Sequence, residues 1–411
     1  KRMGLSFEGE AFEENFLIAD IVMENDFPSE RWFWFDPPFN KGYSALLHKQ
    51  PDGVWRIDIQ LGNDIDREKE LKPERIKSRL RKMLGENVKF ELEWTSIYRF
   101  RCMRMRKFVH DRVIFAGDAA HLVSPFGARG ANGGVQDADN LAWKLAAVIK
   151  GEAPPSLLDT YDEERSPATD ENIFHSSNAT DFISPKSEIS IQFRNTILEM
   201  AQQQSFAQKM VNSGRLSHAF RYVSSSLVRP IQEAHKYKIL PGFSVKDCIL
   251  SKNNKPVFLI DELGNNFTLI IFGDADFTLN EHLKTIKIGT DLIDKNGFFA
   301  ERYQASEGSW VLVRPDHYIA ARGHVFDEEI ILNAINQSFQ KTISSPKNYV
   351  DNFDKYGSDK NYRLLIKAHE GKTKRESNDL NIKLLLSLME HIESPKVFEQ
   401  IIKNLEKVKH V

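Results

Sequence analysis

The residues whose types and spacing could support chemistry lie in one stretch, 112–145. A short apolar run, 113–116, is long enough for a buried strand and leads directly to Asp118. A glycine-rich loop occupies 124–134, and from about Asn132 the apolar residues take helical spacing. The stretch therefore predicts a strand, a loop and a helix start, with one carboxylate at the end of the strand.

A strand end and a helix start placed together can bind a ligand. The start of a helix leaves about four backbone N–H groups unpaired and carries roughly half a positive charge. Gly127, Gly130, Gly133 and Gly134 would let a flat or anionic ligand approach the backbone closely. Asp118 can accept hydrogen bonds from hydroxyls, so a ligand with a polyol and an electron-poor ring would use both features. The same residues also fit a glycine-rich turn before a packed helix, and the spacing alone does not decide between the two.

The residue identities in this stretch are more specific than their spacing. Four segments carry the pattern: 117–121 reads GDAAH, 124–125 reads SP, 127–132 reads GARGAN and 137–145 reads DADNLAWKL. The series resembles the second flavin motif of FAD-dependent aromatic hydroxylases, the para-hydroxybenzoate hydroxylase and phenol hydroxylase group of class A flavoprotein monooxygenases. Ser124 stands where that family has its first proline, and Arg129 stands where it usually has glutamine.

The resemblance implies a set of flavin-binding residues. They are Gly117, Asp118, Pro125, Gly127, Arg129, Gly130, Ala131 and Asn132. By this resemblance Asp118 would hold ribitol hydroxyls, and the backbone of the helix start would stabilise negative charge at flavin N1 and the C2 oxygen. Pro125 would lie near the reactive flavin edge, and Arg129 would add a charge beside the ring.

No side chain is identified as a dedicated catalytic acid or base, so the catalytic residues stay unassigned. His121 follows the flavin strand, but a packed or hydrogen-bonded histidine is the better interpretation. Cys102 and Cys248 follow no metal-binding or redox spacing and are expected to be buried small hydrophobic residues. No metal site is predicted.

The activity implied by the resemblance is monooxygenation. Such a protein binds FAD, uses NAD(P)H as co-substrate and O₂ as oxidant, and hydroxylates a small aromatic substrate, here a phenol. Two alternatives stay open, because a fold alone does not settle function. One is a non-catalytic or degenerate flavoprotein fragment that acts as a binding or assembly subunit, and the other is a flavin-dependent oxidase, reductase or dehydrogenase of the same fold.

The first flavin motif of the family is absent from the 411 residues. That motif is a G-x-G-x-x-G turn between a strand and a helix, which holds the pyrophosphate. The chain is therefore expected to be a family member that lacks the N-terminal part of the FAD domain. A missing N-terminal half and a second copy in a homodimer are the expected protein partners.

The rest of the chain predicts an α/β (α+β) fold, the C-terminal part of a class A flavin monooxygenase fold with a thioredoxin-like domain and a helical tail. Strands in a meander occupy 13–62, where the aromatic run 32–35 either lines a pocket or, more commonly, packs in a core. Strands at 267–273 and 283–289, a hairpin over 309–322 and a helix over 327–339 follow.

The predicted domains divide the chain into four parts. They are a substrate-binding β-sheet domain with a residual FAD-domain entry (1–112), the second FAD motif with its helices (113–240), a thioredoxin-like domain (241–343) and a helical tail (344–411). The thioredoxin-like domain resembles that of phenol hydroxylase relatives. It has no C-x-x-C, so a structural role is expected.

Composition excludes several classes of protein. The net charge is −2 with 41% hydrophobic residues, so neither nucleic acid nor an anionic membrane is an expected partner. No apolar run approaches the roughly 18 residues of a membrane-spanning helix. The N-terminal segment has no apolar core of a signal peptide, and the cysteine usage suits a reducing compartment. The expected location is cytoplasmic.

Overall fold

The structure is a computed structural model and shows a mixed α/β chain, as the sequence predicts. It describes residues 3–23, 27–212, 217–231, 234–274, 283–339, 367–373, 376–377 and 380–381. Most of the predicted helical tail, 344–411, lies outside the described residues.

An antiparallel sheet fills the N-terminal part of the chain and contains the predicted strands, but their order departs from a simple meander. Its first five strands are β1 (Phe7–Met23), β2 (Trp32–Trp34), β3 (Ala45–Lys49), β4 (Val54–Leu61) and β5 (Phe90–Met105). They lie in the order β2-β3-β4-β1-β5, so β1 pairs with β4 on one side and with β5 on the other. Because side chains alternate along each strand, the sheet presents two chemically different faces.

One face of this sheet is closed by a helix. The helices α1 (Arg67–Glu70) and α2 (Pro73–Leu84) follow β4. The apolar stripe of α2 packs on alternate residues of the strands, and the buried side chains at this contact are Ile76, Leu80, Leu84, Leu17, Ile57 and Ile59. The periods of 3.6 in the helix and 2 in the strands therefore meet in one core.

The predicted flavin strand is shorter and more exposed than the sequence indicates. The next elements are β6 (Val109–His110), β7 (Val113–Ile114), β8 (His121–Leu122) and α3 (Gly130–Ile149). The prediction of a buried strand over 113–116 is wrong: β7 is two residues long and pairs only with β6 among the described residues. With one partner strand it has an open edge, and Val113 is 43% exposed. β8 adds the sixth strand of the large sheet, next to β5.

Three helices follow the flavin motif. They are α4 (Asp159–Ile183), α5 (Glu188–Ala201) and α6 (Ser205–Asn212). The chain enters α4 through a 3-10 turn over Pro155–Leu158. Ser187 caps α5, because its hydroxyl accepts the N–H of Ser190 while the Ser190 hydroxyl accepts the N–H of Ser187.

A second α/β unit lies in the C-terminal half. Its elements are β9 (Ile249–Lys252), β10 (Lys255–Phe258), α7 (Leu259–Glu262), β11 (Phe267–Phe272), β12 (Leu283–Ile288), α8 (Phe298–Tyr303), β13 (Trp310–Val313), β14 (Ile319–Gly323) and α9 (Glu328–Phe339). The sheet order is β12-β11-β13-β14, with β11 and β12 parallel and the remaining pairs antiparallel. The predicted strands, hairpin and closing helix of this region are confirmed. Its sheet is apolar on both faces, since each face packs in its own core.

Across the described residues, no helix combines the length and the apolar character that crossing a lipid bilayer requires.

Candidate functional site

The turn after β7 packs directly against the start of α3. Gly117–Ala119 form one 3-10 turn, and Gly117 has a φ of 55°, in the left-handed region that favours glycine. A Cβ added to Gly134 would lie 3.5 Å from the Cα of Gly117. The two backbones therefore touch, and the structure brings together the strand end and the helix start that the sequence assigned to one site.

Asp118 is exposed on this turn. Within the described part of the chain, no side chain forms an ion pair with its carboxylate and no donor bonds to it. Its neighbour Gly117 uses its own N–H to donate to Asp137 Oδ2 at 2.9 Å, so the turn is held while the Asp118 carboxylate stays available.

The start of α3 is uncapped. Gly130, Ala131 and Asn132 are its first three residues, and Arg129 at the N-cap supplies no side-chain hydrogen bond. The first N–H paired to the helix is that of Gly133, which donates to Arg129 O at 2.8 Å. The three preceding amides therefore keep the positive end of the helix dipole open to an electron-rich ligand.

The loop before α3 is anchored by two buried side chains, those of Ser124 and Phe126. Pro125 is exposed, but Phe126 is buried. Ser124 is buried as well: its Oγ donates to Ser176 O at 3.2 Å and accepts from Thr180 Oγ1 at 2.8 Å. Proline could form neither bond, so the departure at Ser124 ties the loop to α4.

Arg129 points into the protein. Its side chain is 2% exposed, and Nη1 donates to Asn172 Oδ1 of α4 at 2.9 Å. The guanidinium thus lies on the interior side of the loop, whereas the backbone of Gly127 and Ala128 makes the turn with φ values of 104° and 53°. A role for this charge beside a flavin ring stays a prediction.

His121 is a packed, hydrogen-bonded histidine, as expected. It is 2% exposed, and its Nε2 lies 2.7 Å from Asp137 Oδ2. Asp137 also accepts from Arg165 Nε at 2.6 Å, in addition to the Gly117 amide. Burial alone would raise the pKa of Asp137, but the hydrogen bond from His121 and the charge of Arg165 outweigh it and lower that pKa. Asp137 therefore stays ionised at the junction of turn, strand and helix.

A second buried cluster is centred on Glu164 of α4. Its carboxylate accepts from Lys144 Nζ and from Asn140 Nδ2, each at 2.7 Å, and it pairs with both Nη atoms of Arg314. Arg314 also binds Asp316, at 2.5 Å from Nη2. Burial opposes ionisation of Glu164, but the charges of Arg314 and Lys144 prevail and hold its pKa far below the usual 4.5. The cluster joins α3, α4 and the β13–β14 hairpin.

Sequence reasoning missed these two clusters. The available signal was a polar stripe at helical spacing in α3, formed by Asp137, Asn140 and Lys144. All three are buried, whereas Val135 (69% exposed), Leu145 (36% exposed) and Ile149 (76% exposed) of the predicted apolar stripe face outward. Other apolar residues of the helix, among them Ala147 and Trp143, pack in the core. An apolar stripe ordinarily faces the core. Here the described residues pack against the polar stripe, and buried ion pairs and hydrogen bonds satisfy its side chains.

We expect Asp137→Asn to destabilise the protein by about 3 kcal/mol or more, because buried Arg165 loses its carboxylate. Urea unfolding followed by circular dichroism measures the change. Asp139→Asn is the matched control, since Asp139 is exposed on the same helix. Equal midpoints for the two variants would show that the Asp137 junction contributes nothing to stability.

Glu164→Gln should cost more than Glu163→Gln. The first leaves Lys144 and Arg314 without their shared carboxylate, at an expected 3–5 kcal/mol, whereas Glu163 binds only the hydroxyl and amide of Ser226. Because folding lowers the pKa of Glu164, its stabilisation is complete above pH 4.5 and declines as the pH falls below that value. Urea titrations at pH 7 and in acid test both points, and a pH-independent difference between wild type and Glu164→Gln contradicts the assignment.

Two protein families match parts of this chain. Residues 1–175 match the family described as FAD binding domain. Residues 338–405 match a family described only as protein of unknown function (DUF2783). The first match covers the large sheet, the Asp118 turn, the loop and α3, and it confirms FAD as the expected cofactor.

Curated relatives are hydroxylases and oxygenases of aromatic compounds by name. The chain is 30% identical over 266 residues to tetracenomycin A2 monooxygenase-dioxygenase of Streptomyces glaucescens, which is 59% of this chain and 44% of that protein. It is 24% identical over 373 residues to 3-(3-hydroxy-phenyl)propionate/3-hydroxycinnamic acid hydroxylase of Escherichia coli O8 (strain IAI1), which is 84% of this chain and 64% of the relative. The chain thus spans less than two thirds of the length of these relatives.

Solved structures share the fold. The flavin-dependent monooxygenase PieE, in complex with FAD and substrate, aligns with a TM-score of 0.63 at 17% identity over 82% of this chain and 68% of its own. Aklavinone-11 hydroxylase, in a ternary complex with FAD and aklavinone, aligns with a TM-score of 0.63 at 20% identity over 82% and 65%. Residues 1–175 thus match the FAD binding domain family, and the chain has the fold of flavin-dependent monooxygenases.

Proposed function

We propose that this chain is the flavin- and substrate-binding part of an FAD-dependent monooxygenase that hydroxylates a phenolic substrate with NAD(P)H and O₂. One observation carries the proposal: the unpaired Asp118 carboxylate and the uncapped start of α3 meet across the Gly117–Gly134 contact, inside the segment that matches an FAD binding domain. The names of the curated relatives support the reaction class.

The residues present suit a flavin. Asp118 would accept hydrogen bonds from ribitol hydroxyls, since its carboxylate has no other partner among the described residues. The amides of Gly130, Ala131 and Asn132 would stabilise negative charge on the ring, as the open end of a helix dipole does. The bound flavin supplies the redox chemistry, and the protein supplies orientation and electrostatics.

Several residues act indirectly. Asp137 would position the Asp118 turn through the Gly117 amide, and Phe126 and Ser124 would fix the loop that carries Pro125. Gly127 lets the loop turn, with Arg129 held inside against Asn172. Asp137, Ser124, Phe126 and Arg129 are assigned as positioning residues, because their side chains are buried against other parts of the protein.

We propose the same division of the chain that the sequence predicts, with domains at 1–112, 113–240, 241–343 and 344–411. The thioredoxin-like assignment of the third domain is supported by its parallel β11–β12 pair, its β13–β14 hairpin and the closing helix α9. Its buried contacts to Glu164 support a structural role.

One observation favours the alternative of a non-catalytic binding or assembly subunit: the 411 residues contain no G-x-G-x-x-G turn for the pyrophosphate. Incubation of the purified chain with FAD, gel filtration and an absorbance spectrum near about 450 nm separate the two. Retained flavin with phenol-dependent NAD(P)H oxidation supports the monooxygenase. A protein that retains no FAD supports the alternative, and NAD(P)H oxidation that no phenol stimulates favours an oxidase or reductase.

Asp118→Ala should weaken FAD binding by about tenfold, the effect of losing hydrogen bonds to a charged acceptor. Quenching of flavin fluorescence on titration with protein measures the dissociation constant. Asp64→Ala is the control, because Asp64 is an exposed carboxylate of the same N-terminal region, distant in sequence from the motif. Identical dissociation constants for wild type and Asp118→Ala reject the role assigned to Asp118.

A further inference from the structure

The face of the large sheet opposite α2 differs from the closed face. Neighbouring strands pair Phe16 with Gln60, Ile18 with Asp58 and Asp20 with Arg56, in three successive rows. Residues two apart on a strand lie on the same side, so these six side chains share one face. We call it the polar face.

The polar face begins at the flavin loop. Phe126 packs against Phe16 and Phe100, with ring centroids 5.5 Å apart in each case. The row of Asp58 lies two residues further along β1, at about 7 Å, and the row of Arg56 at about 13 Å. The polar face therefore extends away from the loop that carries Pro125, within the reach of an aromatic ligand of one or two rings.

Polar atoms on this face lack partners. Asp58 Oδ1 and His48 Nδ1 have almost no contact with solvent and no hydrogen bond within the part of the chain that the structure describes. His48 pairs with Arg56 across β3 and β4, so it belongs to the third row. Buried polar atoms without partners are uncommon, because each costs about 1–3 kcal/mol. A ligand that offers hydrogen bonds at both positions would recover that cost.

Arg56, the cation of the three rows, is already paired, and the Asp58 carboxylate is not paired with any described residue. Arg56 donates to both carboxylate oxygens of Asp20, at 2.8 and 2.7 Å. Burial raises the pKa of Asp58 to about 6. Burial, followed by the nearby charges of Arg31 and Arg56, lowers the pKa of His48, which is therefore neutral. Within the three rows an anionic ligand would meet the carboxylates of Asp58 and Asp20, with Arg56 already paired, and the nearest further cation among the described residues is Arg31, just before β2. A hydroxyl, in contrast, can donate a hydrogen bond to Asp58.

The β5 side of the face offers aromatic surface. Trp94 pairs with Asp20 and Tyr98 pairs with Phe16. Their side chains are 43% and 45% exposed, so they are not covered by the described residues to the extent of a core. The rings lie on the same face as the unpaired polar atoms, two strands from Asp58 and three from His48. A face with aromatic surface at one side and polar atoms at the other matches a ligand with a flat apolar body and a polar end.

We propose that Asp58 and His48 recognise the hydroxyl groups of a neutral phenolic ligand that lies along the polar face with its other end toward Phe126. The inference rests on the proposed function and narrows its substrate to uncharged phenols, as opposed to aromatic carboxylates. The Asp58 carboxylate accepts a hydrogen bond from a ligand hydroxyl, and His48 Nδ1 forms a hydrogen bond with the same or a second hydroxyl of the ligand.

The test compares 2-naphthol with 2-naphthoate, which share a ring system and differ in the polar group. Isothermal titration calorimetry of the full chain near pH 7.5, with and without FAD, gives both affinities. Wild type should bind 2-naphthol about tenfold more tightly than 2-naphthoate. Asp58→Leu should weaken 2-naphthol binding by about tenfold while 2-naphthoate binding stays equal or strengthens, because a repelling carboxylate is removed.

Further variants keep the proposal falsifiable. His48→Phe should weaken only 2-naphthol binding, and Asp52→Asn, on the exposed turn between β3 and β4, should leave both affinities unchanged. The inference is overturned if neither probe binds, if 2-naphthoate binds as tightly as 2-naphthol, or if Asp58→Leu weakens both probes by the same factor. A protein that prefers 2-naphthol but retains no FAD would contradict the proposed function and still support this binding site.

Discussion

The buried Glu164 carboxylate is the ionic centre of the contact between the N-terminal part of the chain and the C-terminal α/β unit. Glu164 is fully enclosed, and a charge in that position is tolerable only because Lys144, Asn140 and Arg314 surround it with donors. Lys144 and Asn140 come from α3 and Arg314 comes from a hairpin 150 residues later in the chain, whereas Glu164 itself lies on α4. The C-terminal α/β unit is thus attached to α4. The same helix binds the loop before α3, so the geometry of that loop depends on this attachment.

Asp137 connects α3 to the turn that carries Asp118. It lies on the same face of α3 as Asn140 and Lys144, one to two turns nearer the helix start. Its carboxylate holds the Gly117 amide, His121 and Arg165, so the turn that presents Asp118 is set by the helix itself. Residues that would not contact the flavin therefore position the two groups that would bind it, the Asp118 carboxylate and the start of α3.

The local features of the fold were predictable from sequence, and the long-range pairings were not. The glycine loop, the start of α3, the packed His121 and the hairpin at 309–322 follow from short patterns with a direct physical meaning. The burial of the polar stripe of α3 does not follow from short patterns. It could be predicted only if Glu164 and Arg314 were already known to be its partners. The exposure of β7 and the inward turn of Arg129 depend in the same way on neighbours distant in sequence. Asp58 and His48 come together only through the register of β3 and β4.

The Glu164 cluster also constrains how such proteins can recombine. A chimera that joined the first 240 residues to the C-terminal unit of a relative would bring Glu164 and Lys144 into contact with a foreign hairpin. If that hairpin lacked the equivalents of Arg314 and Asp316, the graft would enclose an unbalanced set of ions. Such a chimera should therefore keep its stability only if the grafted hairpin supplies cationic and anionic partners equivalent to Arg314 and Asp316.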